Sequence, residues 1–292
     1  MRWLAPGICV VAAVHLGADN SDRTSDLAAI LQRASERVEQ YLARAQTIVC
    51  LEVVHLQPLT SGWSSDGLGR TVESELRVSW KPGEDGEASA EAQTLRQLLK
   101  VNGRKPRKND LNNCTTPEQE AEEPQALSLL LPSQRPDYRF RLAGESRVDR
   151  RPAIMIDYQL VKTVSVESHM VEGRDDCISF NLEGGTQGRL WIDVETFDVL
   201  RLDQRLTSMV DIPLPKPVRR RLDGPAIWTM ERWDSSIRFR LVTFTNPDES
   251  LVVPTSLSSL QILRGSGAPR LRTTTDYKNY QRYLTNGRVV GG

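Results

Sequence analysis

Four acidic residues lie close together in the stretch GRLWIDVETFDVLRLD, from Gly188 to Asp203. Two carboxylates whose pKa values are held apart can act as general acid and general base, so this stretch is a candidate hydrolase site. Apolar and polar residues alternate on both sides of ETFD, however, which is typical of a β-hairpin. Glu195 and Asp198 then lie in the turn, and Asp193 lies across the hairpin from Arg201. We interpret the acids as structural, and a hydrolase using Asp193 and Glu195 is the less favoured alternative.

Other catalytic signals are weak in this sequence. Of the three histidines, His15 lies in an apolar N-terminal segment, and His55 and His169 are far apart along the chain. The sequence lacks the motifs of serine hydrolases, zinc proteases and phosphate-binding loops, and it has no cysteine and histidine spacing typical of zinc. The glycines of LEGGTQG, from Leu182 to Gly188, follow a strand without a helix after them, so they indicate turns. We expect no enzyme, no cofactor and no metal.

The N-terminus indicates export. The chain has 292 residues, and its 38 Lys and Arg balance its 38 Asp and Glu, so no net field would attract nucleic acid. The first residues, MRWLAPGICVVAAVHLGADN, combine an early cation, an apolar run and small residues, which is typical of a signal peptide. A buried strand or membrane anchor is the alternative, but the run is shorter than the roughly 20 residues that span a bilayer. We expect a signal peptide at 1–18, a linker at 19–24, and a periplasmic or secreted protein.

Three cysteines follow the signal peptide, which allows one disulfide. Cys114 lies in a polar loop and Cys177 at the start of a strand, so we expect these two to pair. A disulfide between Cys50 and Cys177 is the alternative. Cys50 lies in the apolar run TIVCLEVV, which predicts a buried side chain.

The rest of the chain predicts one helix followed by many strands. Apolar residues at spacings of three and four predict an amphipathic helix from Ser25 to Gln46, with Ser25 or Asp26 as its cap. Eleven segments between Thr47 and Tyr280 have strand-like alternation or β-branched content, which favours an antiparallel meander. Polar loops are expected near 81–93, 109–124 and 211–225, and a short helix before Pro132. We expect a single mainly β (α+β) domain over 25–287 and a C-terminal tail at 288–292.

Two longer phrases carry a resemblance to a known class. YRFRLAGESRVDRRPAIMIDYQ and GRLWIDVETFDVLRLD resemble the half-barrel of periplasmic lipoprotein-handling proteins. This class contains the outer-membrane lipoprotein carrier, its membrane receptor and the regulator of an envelope-stress sigma factor. TIVCLEVV, GRLWID, SIRFRLVTFTNPDESLVVPTSL and RLRTTTDYKNYQRYL are more narrowly similar to uncharacterised exported proteins of soil bacteria. The resemblance covers residues 25 to 285.

The resemblance implies a curved antiparallel sheet that wraps the N-terminal helix and a short helical insertion. An incompletely filled concave face would hold a lipid, an acyl chain or a lipoprotein. We expect this site to be lined by Phe140, Leu142, Ile154, Ile156, Tyr158, Leu190, Ile192, Phe239 and Leu241.

Two interpretations of these lining residues stay open, and for any single residue we favour the second, in which it packs against the N-terminal helix as core. A second candidate function is a cell-envelope interaction or sensory module that uses sheet edges and the proline-rich segment from Asp211 to Pro225. The expected partners are a hydrophobic small molecule or a lipidated protein, with peripheral association with the envelope and no nucleic acid.

Overall fold

The computed structural model describes residues 20–44, 48–82, 88–111, 126–171, 174–222, 226–245, 248–267 and 269–282. The expected signal peptide at 1–18 and the tail at 288–292 lie outside these residues. Cys114 also lies outside them, so its disulfide with Cys177 stays a prediction. Cys50 is 3% exposed, as its apolar surroundings predict.

Thirteen strands make up most of the described chain. They are β1 (Ile48–Pro58), β2 (Arg70–Pro82), β3 (Ala88–Val101), β4 (Tyr138–Val148), β5 (Arg151–Leu160), β6 (Ser165–Val171), β7 (Arg174–Glu183), β8 (Thr186–Asp193), β9 (Val199–Leu206), β10 (Val210–Pro213), β11 (Ile227–Thr245), β12 (Asp248–Arg264) and β13 (Arg270–Arg282).

Eleven of these strands form one open antiparallel sheet. Its order is β3, β2, β1, β13, β12, β11, β9, β8, β5, β4, and β10 pairs with β11 outside that path. The edge strands β3 and β4 are not neighbours, so the sheet is not closed into a barrel. β6 and β7 form a separate hairpin. The predicted fold class, a mainly antiparallel sheet with an N-terminal helix, is confirmed.

Helices are few among the described residues. The long helix α1 (Asn20–Arg44) starts five residues before the predicted Ser25, so neither Ser25 nor Asp26 is its cap. Two short helices follow, α2 (Lys108–Leu111) and α3 (Lys216–Leu222), and two 3₁₀ turns cover Ser128–Leu130 and Arg135–Asp137. No helix in the described part of the chain is both long and apolar enough to cross a bilayer.

α1 covers one side of the sheet, which we name the inner face. Leu31, Ala34, Val38 and Leu42 form its buried stripe, as spacings of three and four dictate. This stripe packs against strand residues that alternate with polar ones, so the opposite, outer face is polar. The same core contains Leu127, Leu129, Leu130, Leu131, Ile156, Leu190, Ile192, Leu202, Ile237, Phe239, Leu251 and Val253.

A second, smaller core lies where the β6–β7 hairpin meets the end of the sheet. Val210, Ile212 and Met230 are buried there, and Val166 and Phe180 of the hairpin pack against them. The short strands β6 and β10 were not expected from the sequence. β10 lies in the proline-rich segment, where prolines obscure its alternation of buried and exposed residues.

Two predicted loops are partly wrong. Residues 88–93 belong to β3 rather than to a polar loop at 81–93, since they pair with β2. The proline-rich segment forms β10 and α3 up to residue 222, and Val218 is 5% exposed. A free docking strip at 211–225 therefore has little support in its described part. The loop expected at 109–124 lies almost wholly outside the described residues.

Candidate functional site

Asp193, the first acid of the opening stretch, holds its hairpin turn together. Its side chain is 5% exposed. Oδ1 accepts the backbone N–H groups of Glu195 and Thr196 at 3.0 and 2.9 Å, and Oδ2 accepts Nε of Arg151 at 2.9 Å. Burial raises the pKa of Asp193, but the N–H donors and Arg151 outweigh that effect and leave the pKa below its usual value. The carboxylate is thus committed to the fold.

The predicted pairing of Asp193 with Arg201 is wrong. A register shift between Trp191 and Ile192 places Arg201 opposite Trp191. Its guanidinium lies 4.5 Å from the centre of that ring and also bonds Asp203. A one-residue irregularity in the hairpin therefore changes which side chains meet.

Asp198, the last acid of the turn, anchors α1. Its Oδ1 accepts Nε of Arg37 at 2.9 Å, and Asp198 is 8% exposed. Beside it, the guanidinium of Arg33 lies 4.9 Å from the ring centre of Phe197. The turn of the β8–β9 hairpin thus fixes α1 against the sheet by one ion pair and one cation–π contact. No group of three or more potential metal ligands occurs among the described residues.

Eight of the nine predicted lining residues come together on the inner face. Ile156, Tyr158, Leu190, Ile192 and Phe239 are at most 4% exposed and form the core with α1. Phe140, Leu142 and Ile154 pack against that core while remaining partly exposed. Over β5, β8 and β11 the concave side of the sheet is therefore filled by α1 and by Leu127, Leu129, Leu130 and Leu131.

Leu241 does not join them, because its side chain is 55% exposed. Alternation along β11 buries Ile237 and Phe239, but beyond them the buried residue is Phe244. The inward side has changed from odd to even positions near a register shift at Phe239. Assigning Leu241 to the concave lining is wrong for this reason.

An apolar cavity lies elsewhere on the inner face, beside the C-terminal end of α1; we name it the Tyr41 cavity. Its volume is about 30 Å³. Burial raises the pKa of Tyr41, and the nearby Cys50 adds a smaller increase, so the phenol stays protonated. The hydroxyl of Tyr280 donates to the carbonyl of Pro254. The cavity is lined by Tyr41, Ile48, Cys50, Leu76, Val78, Val253, Pro254, Tyr277 and Tyr280.

None of these nine residues was expected to line a site. They come from α1, β1, β2, β12 and β13, which are distant in the sequence. Alternation in TIVCLEVV does indicate that Ile48 and Cys50 share a face, and their burial agrees. The sequence does not show which strands lie beside β1. A cavity forms only where the side chains of neighbouring elements leave space unfilled, so it could not be predicted.

Comparisons with known proteins find structures but no sequence family. No family model matches this chain, and no curated protein matches it. A domain from Vibrio parahaemolyticus, described as an outer membrane lipoprotein-sorting protein, is 10% identical with a TM-score of 0.36, covering 88% of this chain and 92% of its own. A LolA superfamily protein from Nitrosomonas europaea is 9% identical with a TM-score of 0.34, covering 87% and 94%.

A chain of the MucA/MucB complex of Pseudomonas aeruginosa is also similar, at 13% identity and a TM-score of 0.24, covering 89% of this chain and 99% of its own. Similarity this low transfers no ligand and no residue role to this chain.

Proposed function

We propose that this protein is an exported, non-enzymatic protein that binds a hydrophobic chain between α1 and the inner face. The guest would be an acyl chain, free or carried by a lipid or lipoprotein. The Tyr41 cavity is the observation that carries this proposal, because it is apolar, lies under a single helix and belongs to no catalytic cluster. The sequence resemblance to lipoprotein-handling proteins supports the same role.

The size of the cavity sets how a guest can enter. A volume of about 30 Å³ has room for roughly one water-sized group, so an acyl chain needs additional space. Lifting all of α1 would expose Leu31, Val38 and Leu42, each worth about 1.5–3 kcal/mol of burial. A smaller outward movement of the helix end near Tyr41 costs less, and the guest's own apolar surface would offset it at about 25 cal/mol per Å².

The attachment of α1 favours movement at that end. The ion pair from Arg37 to Asp198 fixes the helix one turn before Tyr41, so only the last two turns of α1 lie beyond it. Beyond it, Leu42 contributes buried apolar contacts, which the apolar surface of a hydrocarbon guest can replace.

Uptake of a fluorescent fatty acid by the purified full chain tests this function, together with mass spectrometry of a solvent extract. We expect uptake by the unmodified protein and a decrease of about tenfold in Val78→Phe, which fills the cavity. Val242→Phe is the matched control, since Val242 is partly buried on β11 and does not line the cavity. Urea unfolding would confirm that both variants fold. No extracted lipid together with no uptake by the unmodified protein would refute the proposal.

A further inference from the structure

The outer face carries a large polar groove that the hydrophobic-guest function does not use; we name it the arginine groove. Its volume is about 920 Å³, which lies in the range of ligand sites. The groove crosses β4, β5, β8, β9, β11, β12 and β13, so it extends for about 29 Å at ordinary strand spacing. Its charged side chains are Arg139, Arg141, Arg189, Arg205, Arg232, Arg272, Asp157, Asp203 and Asp234.

Half of these arginines are already paired. Arg141 and Arg189 both bond Asp157, at 2.8 and 2.6 Å. Arg232 bonds Asp234. Arg232 and Asp234 neutralise each other, and Asp157 neutralises one of its two arginines, so this set keeps a single positive charge.

Arg139, Arg205 and Arg272 make no ion pair with any described residue, and all three are exposed. They lie in one row across the strands, because successive register pairs connect them. From Arg139 the row passes through Gln159 and Gln187 to Arg205. From Arg205 it passes through Asp234 and Leu260 to Arg272.

Three strand spacings separate each unpaired arginine from the next, or about 14 Å. This charge density is far below that of a nucleic acid strand, which has one phosphate about every 3.4 Å. Stacking of bases is also unsupported, since the ring of Trp191 is already flanked by Arg201 at 4.5 Å and Arg189 at 6.0 Å. The groove therefore suits an extended ligand with widely spaced negative groups.

Neutral amides lie between Arg139 and Arg205, whereas Leu260 and Asp234, which is paired with Arg232, lie between Arg205 and Arg272. The amides of Gln159 and Gln187 both donate and accept hydrogen bonds, as do the hydroxyls of serines in the groove. Sugar hydroxyls have the same dual character. The side chains of an extended peptide would instead need pockets, and Leu260 is one of few apolar residues in the groove. Of the serines, Ser236 and Ser258 pair with each other and alternate with the inward-facing Ile237 and Leu257, so they lie on the outer face; Oγ of Ser236 donates to Asp203 at 2.7 Å.

We propose that the arginine groove binds a linear acidic polysaccharide in which carboxylate-bearing sugars are separated by neutral ones. Arg139, Arg205 and Arg272 would each bind a carboxylate, and the glutamines and serines would bind the hydroxyls between them. This site is independent of the hydrophobic guest on the inner face.

Calorimetric titration of the full chain with a hyaluronan oligosaccharide tests the groove, because its acidic and neutral sugars alternate. We expect binding that weakens with salt, and a loss of affinity of about tenfold or more in the triple variant R139Q/R205Q/R272Q. The matched control is K105Q/R107Q/K108Q, which removes the same charge from exposed residues outside the groove and should change affinity less than about twofold. Both variants replace exposed side chains, so both should keep the unfolding midpoint.

Three results would overturn this assignment. The first is no binding of the oligosaccharide by the unmodified protein. The second is an equal loss of affinity in both triple variants, which would indicate attraction by net charge alone. The third is tighter, groove-dependent binding of a poly-glutamate peptide, which would assign the groove to acidic peptides.

Discussion

Replacing Gly188 by alanine should destabilise the fold more than any comparable change at an exposed glycine. Gly188 lies within β8, where it pairs with Tyr158 of β5 and Gln204 of β9. A Cβ atom here would lie 2.6 Å from the hydroxyl of Tyr158 and 2.7 Å from its Cζ, and would also collide with the carbonyl oxygen of Asp203. Gly188 is therefore a close-approach glycine, and the sequence-based assignment of Gly188 to a turn is wrong.

The expected cost follows from how little these neighbours can move. Tyr158 is 3% exposed, and its hydroxyl donates to the carbonyl of Asp203 at 3.2 Å. That carbonyl belongs to the backbone of a central strand. Overpacking a core costs about 1–3 kcal/mol, and we expect the upper end because backbone as well as side chain must shift. This is a large part of a typical stability of about 5–15 kcal/mol.

Urea unfolding of Gly188→Ala, followed by circular dichroism, measures this cost. Gly267→Ala is the matched control, since a Cβ there meets nothing within 4 Å. The control should leave stability unchanged or raise it by up to about 1 kcal/mol, because alanine restricts the unfolded chain. Equal midpoints for the two variants would show that β5, β8 and β9 do not approach one another as closely as the structure indicates.

Three further predictions concern the turn, α1 and acid stability. Asp193→Asn should lower the free energy of unfolding by about 1–3 kcal/mol without loss of ligand binding, as measured by urea unfolding and fatty-acid uptake. Leu42→Ala should cost about 2–5 kcal/mol, whereas the exposed Gln40→Ala should cost less than about 0.5 kcal/mol in the same assay. The pKa of Asp110 is lowered to about 2, chiefly by Arg104, so stability should be retained above about pH 4 and fall towards about pH 2, as acid titration of the unfolding midpoint would show.

Alternation was enough to predict the sheet but not its details. It located eleven of the thirteen strands and the helix that covers them, since burial on one face imposes a period of two on strands and 3.6 on helices. β6 has seven residues and β10 has four. Strands this short show too few alternating residues for the period of two to be recognised in the sequence. Where the register shifts, as at Trp191 and Phe239, the pattern gives the wrong partner or the wrong face.

Neither candidate site could be predicted from sequence, for two different physical reasons. The Tyr41 cavity is a residual volume, which depends on how the side chains of five elements pack rather than on their types. The arginine groove depends on the register of seven strands, because only the pairing brings Arg139, Arg205 and Arg272 into one row. The sequence shows these arginines as scattered surface charges.

The same alternation places both candidate sites on one sheet and keeps them separate. In β8, Leu190 contacts the core on the inner face while its neighbour Arg189 lines the groove on the outer face. α1 occupies most of the inner face, so a hydrophobic guest must compete with the helix for apolar surface. Nothing in the described chain covers the arginine groove, so a polar ligand there competes only with water and salt. Binding on the outer face should therefore depend on ionic strength, and binding on the inner face should depend on the freedom of α1 to move.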